Sequence, residues 1–145
     1  MRFALDTNIL VYAEGVNDAA RKTQARDLLS RLVRADVVLP VQVAGELFRV
    51  LVRKARRTPA DARLAVESWQ DLFGAEPTTP TAFAVAMALA SGSNLDIWDA
   101  TIIAVAAETS CHLLLSEDLA EGFSCRGVTV VNPFATKPHP LLRTL

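Results

Sequence analysis

Four short apolar runs mark the chain: Phe3-Ala4-Leu5, Val37-Val38-Leu39, His112 to Leu115 and Val128 to Val131. Between them lie longer segments whose apolar residues recur at three and four. Runs this short and this uniformly apolar read as strands buried on both faces, an arrangement found where helices cover each side of a sheet. The alternation predicts a three-layer α/β/α sandwich around a short, mostly parallel sheet. Helices are expected over Asn8–Glu14, closed by Gly15, and from an Asp18 cap to about Ala35 with Ala25, Leu28, Leu29, Leu32 and Val33 inward. Others run from Pro40 toward Arg57, from a Thr58 cap and Pro59 to Gly74 with Leu72 and Phe73 inward, over Thr81–Ala90, and from Asp96 to about Glu108.

A chain of 145 residues that is 51% hydrophobic makes one domain able to bury a core without disulfide or zinc staples. Residues 1–134 are expected to form that domain, with 135–145, which carry Pro138 and Pro140, as a surface tail. Cys111 and Cys125 form no CxxC pair, and His112 and His139 have no zinc spacing. The net charge of -1 excludes a generic polycation, so any nucleic-acid contact has to come from a local basic patch. Asp6 follows closely on the start, and the apolar stretches break before 18 residues. Neither a signal segment nor a membrane span is expected, and the location expected is cytoplasmic.

Four acids stand where such a fold places its crevice, beyond the carboxyl ends of strands. Asp6 ends the first strand, with Thr7 and Asn8 beside it to orient its carboxylate. Glu46 interrupts the apolar stripe of Val43, Leu47 and Val50. Asp99 opens a helix whose face is lined with small residues, and Asp118 follows Ser116-Glu117 at a strand end. Each acid alone has an ordinary structural explanation. Asp6 can form a turn, and Glu46 can pair with Arg49 or Arg53. Asp96 can cap a helix and Asp99 can face its dipole. At the Ser116-Glu117-Asp118 turn, Asp118 reads as the inward acid and Glu117 as the outward one. Together the acids imply a cleft of oxygen ligands suited to Mg²⁺ or Mn²⁺, and hence phosphodiester hydrolysis.

Asp6-Thr7-Asn8, Glu46 within a helix, Trp98-Asp99-Ala100 opening a helix and Ser116-Glu117-Asp118 after a strand resemble the PIN-domain nucleases, and most nearly the VapC-type toxins of bacterial toxin–antitoxin pairs. The resemblance implies a Mg²⁺- or Mn²⁺-dependent endoribonuclease, an RNA substrate, a VapB-like antitoxin partner and a homodimer. It implies that Asp6, Glu46 and Asp99 are the core catalytic and metal-binding acids and Asp118 the fourth. Thr7, Asn8 and Ser116 take supporting polar positions. Asp96 is an extra ligand or a cap, with the cap favoured, and the role of Glu117 is open.

Arg49 and Arg53 share the Glu46 side of their helix and face RNA backbone, an acidic antitoxin segment, or solvent. Trp69, Trp98, Phe73 and Phe83 read as core or dimer-interface residues before base-stacking platforms. The competing reading is a non-catalytic binding module whose acids cap helices or hold a structural cation.

Overall fold

The computed structural model describes residues 1–145, the Thr144 side chain apart. Its strands are β1 (Arg2–Leu5), β2 (Asp36–Pro40), β3 (Ala75–Glu76), β4 (Leu113–Leu115), β5 (Ser124–Cys125) and β6 (Val128–Val131). They form one sheet in the order β3-β2-β1-β4-β6-β5. All pairings are parallel except β5 with β6. The helices are α1 (Thr7–Ala13), α2 (Ala19–Leu32), α3 (Val41–Arg53), α4 (Pro59–Phe73), α5 (Pro80–Gly92) and α6 (Ile97–Glu108). Together they give the expected α/β/α layering.

β1 is central because its sequence is apolar on both faces. Phe3 pairs in register with Val37 on one side and Leu113 on the other. Phe3, Ala4 and Leu5 are all buried, as are Leu113, Leu114 and Leu115. From β1 the chain first builds outward through β2 and β3, then returns to place β4 on the opposite flank. The direction of winding therefore reverses between β1 and β4. In open parallel sheets that switch point leaves a crevice at the carboxyl ends of the two strands.

The helix starts follow the capping residues. Asp18 accepts from Ala20 N and Arg21 N, Thr58 from Asp61 N with Pro59 in the first turn, and Asp96 from Trp98 N. Gly74 stops α4 at φ +77, a left-handed conformation that a side chain would strain, and Leu39 N donates to its carbonyl. That bond seats β3 beside β2. α5 and α6 pack through Ala82, Ala86, Ala100 and Ala104, small enough for close approach. Glu14, the C-cap of α1, ties that helix to α4 and to the loop between α3 and α4. Its carboxylate accepts from Trp69 Nε1 (2.7 Å) and Arg57 Nη1 (2.5 Å), and its carbonyl from Arg57 Nη2 (2.9 Å).

Several expectations need correction. α3 stops at Arg53 rather than Arg57, and Pro40 stands at its N-cap rather than inside its first turn. Val33 and Leu72 are exposed, not inward. The segment before Pro80 contains β3, and Ser124–Cys125 adds β5; two-residue strands carry no periodicity to read. The tail is not wholly superficial, since Leu142 is buried in the core from a short 3₁₀ turn over Pro140–Thr144. Among the described residues no helix is long and apolar enough to cross a membrane.

Replacing the mid-sheet residue, Leu114→Ala, should cost about 2–5 kcal/mol through lost burial and a residual cavity. Urea unfolding should show a lower midpoint with an unchanged slope.

Candidate active site

Asp6 is the first residue after β1 and the N-cap of α1. Its backbone N–H donates to Leu115 O (3.0 Å), locking the ends of β1 and β4 together. Its side chain is only 6% exposed. Oδ1 accepts from Thr7 N (2.7 Å) and Oδ2 from Ser116 Oγ (2.5 Å). Ser116 is fully buried, takes its own position from Ser116 N donating to Val131 O, and accepts from Leu119 N at 3.1 Å. The carboxylate at the end of one strand is thus oriented by a hydroxyl at the end of the next.

Glu46 does not pair with Arg49 or Arg53. Thr7 Oγ1 donates to its Oε2 (2.5 Å) and Gln42 Nε2 to its Oε1 (2.8 Å). Asn8 Nδ2 donates to Asp118 Oδ2. Thr7 and Asn8, the first two residues of α1, therefore hold acids from α3 and from the turn after β4. Asp99, in the first turn of α6, enters the same cleft. The cleft has a volume of about 1060 Å³ and brings Asp6, Thr7, Asn8, Glu46, Asp99 and Asp118 together with Arg49 and Arg53. Ser116 supports it from beneath.

The electrostatics match that crowding. Burial pushes the Asp6 carboxyl up to about 6; the hydrogen bonds from Ser116 and Thr7 oppose the rise, and the charges of Asp99 and Glu46 add to it. Asp99 is raised by burial and then by Asp96, Glu46 and Asp118. Asp118 is raised by burial and by Glu117. Carboxylates drawn together in this way hold protons or take a cation.

One of the sequence expectations is met and two meet a different arrangement. Asp96 caps α6 through Trp98 N at 2.8 Å, as favoured, and acts on the cleft only through its charge on Asp99. Asp118 does face the cleft but is exposed, whereas Glu117 is the more covered of the two. Arg21 Nε and Nη2 grip Glu117 Oε1 at 3.0 and 2.7 Å, and the Tyr12 hydroxyl shares that carboxylate, which pushes the phenol up to about 12. The Arg21 guanidinium also lies over the Phe134 ring, 5.0 Å from its centre. Trp98 is no core residue: it is 51% exposed and lines the cleft. Trp69 and Phe73, by contrast, stack on each other. Gln42 escaped the sequence reading, although its position four residues before Glu46 was the available signal.

No three acidic, His or Cys side chains among the described residues are gathered tightly enough to enclose an ion by themselves. The donors nonetheless fit a hard cation. All are oxygens, each carboxylate oxygen of Asp6 keeps a lone pair beyond its one hydrogen bond, and the excess of negative charge already raises Asp6 and Asp99. Mg²⁺ binds through one or two carboxylates and retains waters, so a loose set of acids suffices.

A family model for the PIN domain matches residues 3–121. The chain belongs to the PIN-domain family. Comparison with curated protein sequences gives no significant match. Among solved structures, this PIN domain resembles a chain of VapBC2 from Rickettsia felis bound to a DNA fragment from their promoter, at TM-score 0.66 and 15% identity over 90% of this chain and 97% of that one. A chain of FitAcB from Neisseria gonorrhoeae gives TM-score 0.66 and 20% identity over 91% and 98%. VapC20 of Mycobacterium tuberculosis, described as a sarcin-ricin loop cleaving toxin, gives 0.63 and 20% over 80% and 89%. At these identities the structural likeness establishes the shared fold.

In metal-free protein the raised Asp6 carboxyl favours the fold while protonated. That stabilisation is complete below the unfolded value of 3.8 and is lost as pH rises through about 6; linkage puts it at about 3 kcal/mol. Urea unfolding between pH 4 and 8 should show wild type losing stability relative to Asp6→Asn as pH rises. Parallel curves for the two proteins would remove Asp6 from the effect.

Proposed function

We propose that this PIN domain is a divalent-cation-dependent endoribonuclease, acting as the toxin of a VapBC-like pair. The observation that carries the reading is the meeting of Asp6, Glu46, Asp99 and Asp118 in one cleft from four separate parts of the chain. The cation-ready charge of that cleft supports phosphodiester chemistry, and its likeness to VapC20, a sarcin-ricin loop cleaving toxin, supports RNA as the substrate class. The VapBC2 and FitAcB likenesses support a VapB-like antitoxin as partner. The proposal includes a homodimer, a cytoplasmic setting, and residues 1–134 as the nuclease unit with 135–145 as its tail.

Asp6, Asp99, Glu46 and Asp118 would hold Mg²⁺ or Mn²⁺. Such an ion, when bound, supplies Lewis acidity at the phosphate and eases deprotonation of the attacking water. The chain's own residues do the rest. Ser116 and Thr7 N hold the Asp6 carboxylate in one rotamer. Thr7 and Gln42 hold Glu46, and Asn8 holds Asp118. Arg49 and Arg53, on the cleft wall, neutralise and position the backbone phosphates that flank the reacting one. Exposed Val41 and Trp98 give an antitoxin segment apolar anchors beside those two cations.

A non-catalytic binding module is favoured by one observation, the absence of a tight three-acid set among the described residues. Cleavage of total RNA decides between the two readings. Purified, antitoxin-free protein should cut RNA with Mg²⁺ or Mn²⁺ and stop on chelation. Ser116→Ala should lower the rate by about 10–100-fold, the usual cost of losing a group that orients a metal ligand. Asp6→Asn and Asp99→Asn should lose more than that while keeping wild-type circular dichroism. Undiminished cleavage by Asp99→Asn would return that residue to a helix-dipole role.

A further inference from the structure

The basic wall of the cleft continues beyond it. Arg49, Arg53 and Lys54 line the cleft from α3 and the residue that follows it. The ion pairs of the described residues join Arg2, Arg21, Arg31, Arg57 and Arg63 to acids and include none of these three. Lys54 also lines a second hollow of about 410 Å³, together with Glu14, Gly15, Asn17 and Arg57. Lys22 reaches the same corner, its Nζ standing 3.2 Å from where a Gly15 side chain would begin.

The hollow's one acid is already spent, since both Glu14 carboxylate oxygens accept bonds, from Trp69 and Arg57. Among the described residues that leaves Lys54 and the Asn17 carboxamide in the lining as donors without protein acceptors, with the Lys22 ammonium standing beside Gly15 at the hollow's edge. The charge is therefore net positive, and the available chemistry is hydrogen-bond donation, which suits an oxyanion. A peptide partner would need an apolar anchor. The hollow's apolar lining consists of Val16 and Ala55, and Val16 is buried. The large exposed apolar residues Val41 and Trp98 lie in the cleft instead.

We propose that the hollow between Gly15 and Lys54 is a second phosphate site, which takes a backbone phosphate of a single-stranded RNA lying in the acidic cleft. Lys54 is the post shared by the two, and Lys22 stands at the hollow's edge beside Gly15, away from the cleft lining. The inference rests on the ribonuclease reading of the cleft and adds to it a footprint longer than the reacting nucleotides.

The test is fluorescence anisotropy of the full chain in chelator, so that nothing is cut, with labelled oligouridylates of about 4 and about 12 nucleotides. The longer RNA should bind more tightly and with a steeper salt dependence. Lys22→Gln should shallow its log–log salt slope by about 0.7, the share of one single-strand phosphate contact, and leave the shorter RNA unchanged. Lys54→Gln should shallow the longer RNA's slope, and Lys54→Arg should restore it. Unchanged slopes in both Gln variants would overturn the proposal. So would displacement of the RNA by polyglutamate but not by polyphosphate, which would assign the hollow to an acidic peptide. Failure of both RNAs to bind would overturn it too. Length- and lysine-dependent binding with no cleavage on adding Mn²⁺ would support it while sinking the nuclease reading alone.

Discussion

The bond from Ser116 to Asp6 depends on β1 and β4 lying side by side, and the site depends on that bond. A carboxylate that is 6% exposed and has acidic neighbours would be costly without donors. Here the donors are the hydroxyl at the next strand's end and the first amide of α1. The parallel register that aligns Leu5 with Leu115 brings residues far apart in sequence to adjacent strand ends. Apolar burial of β1 and β4 thus sets the position of a polar group, and packing and chemistry meet at one residue.

α1 acts as the distributor. Asp6 caps it, Thr7 reaches the acid of α3, and Asn8 reaches the acid of the turn after β4. Three consecutive residues therefore touch three acids or their supports, and a shift of this helix would disturb all of them together. The Arg21–Glu117 pair, buttressed by Tyr12 and Phe134, fastens the far side of the same turn.

Much of this was legible in the sequence. The apolar runs gave the sheet, and Asp18, Thr58 and Asp96 with their following residues gave the helix starts. Strand-end acids in an α/β fold gave the cleft, with Glu46 identified by its interruption of an apolar stripe. What escaped depends on long-range contact. β3 and β5 exist through their partners, being too short to show alternation. Glu117 and Asp118 are adjacent, so nothing in spacing tells which one faces Arg21, ninety-six residues earlier. Trp98 read as a core or dimer-interface residue because large aromatics are usually covered, yet from the first turn of α6 it lines the cleft and is exposed.

The Ser116–Asp6 link spans 110 positions, and that separation has a consequence for synthesis. A nascent chain that has released Asp6 and Glu46 from the ribosome still lacks the hydroxyl, the fourth acid and the strand that aligns them. This corner of the cleft therefore takes shape only once residues 113–118 have joined the sheet beside β1, and until then Asp6 lacks the donor that orients it.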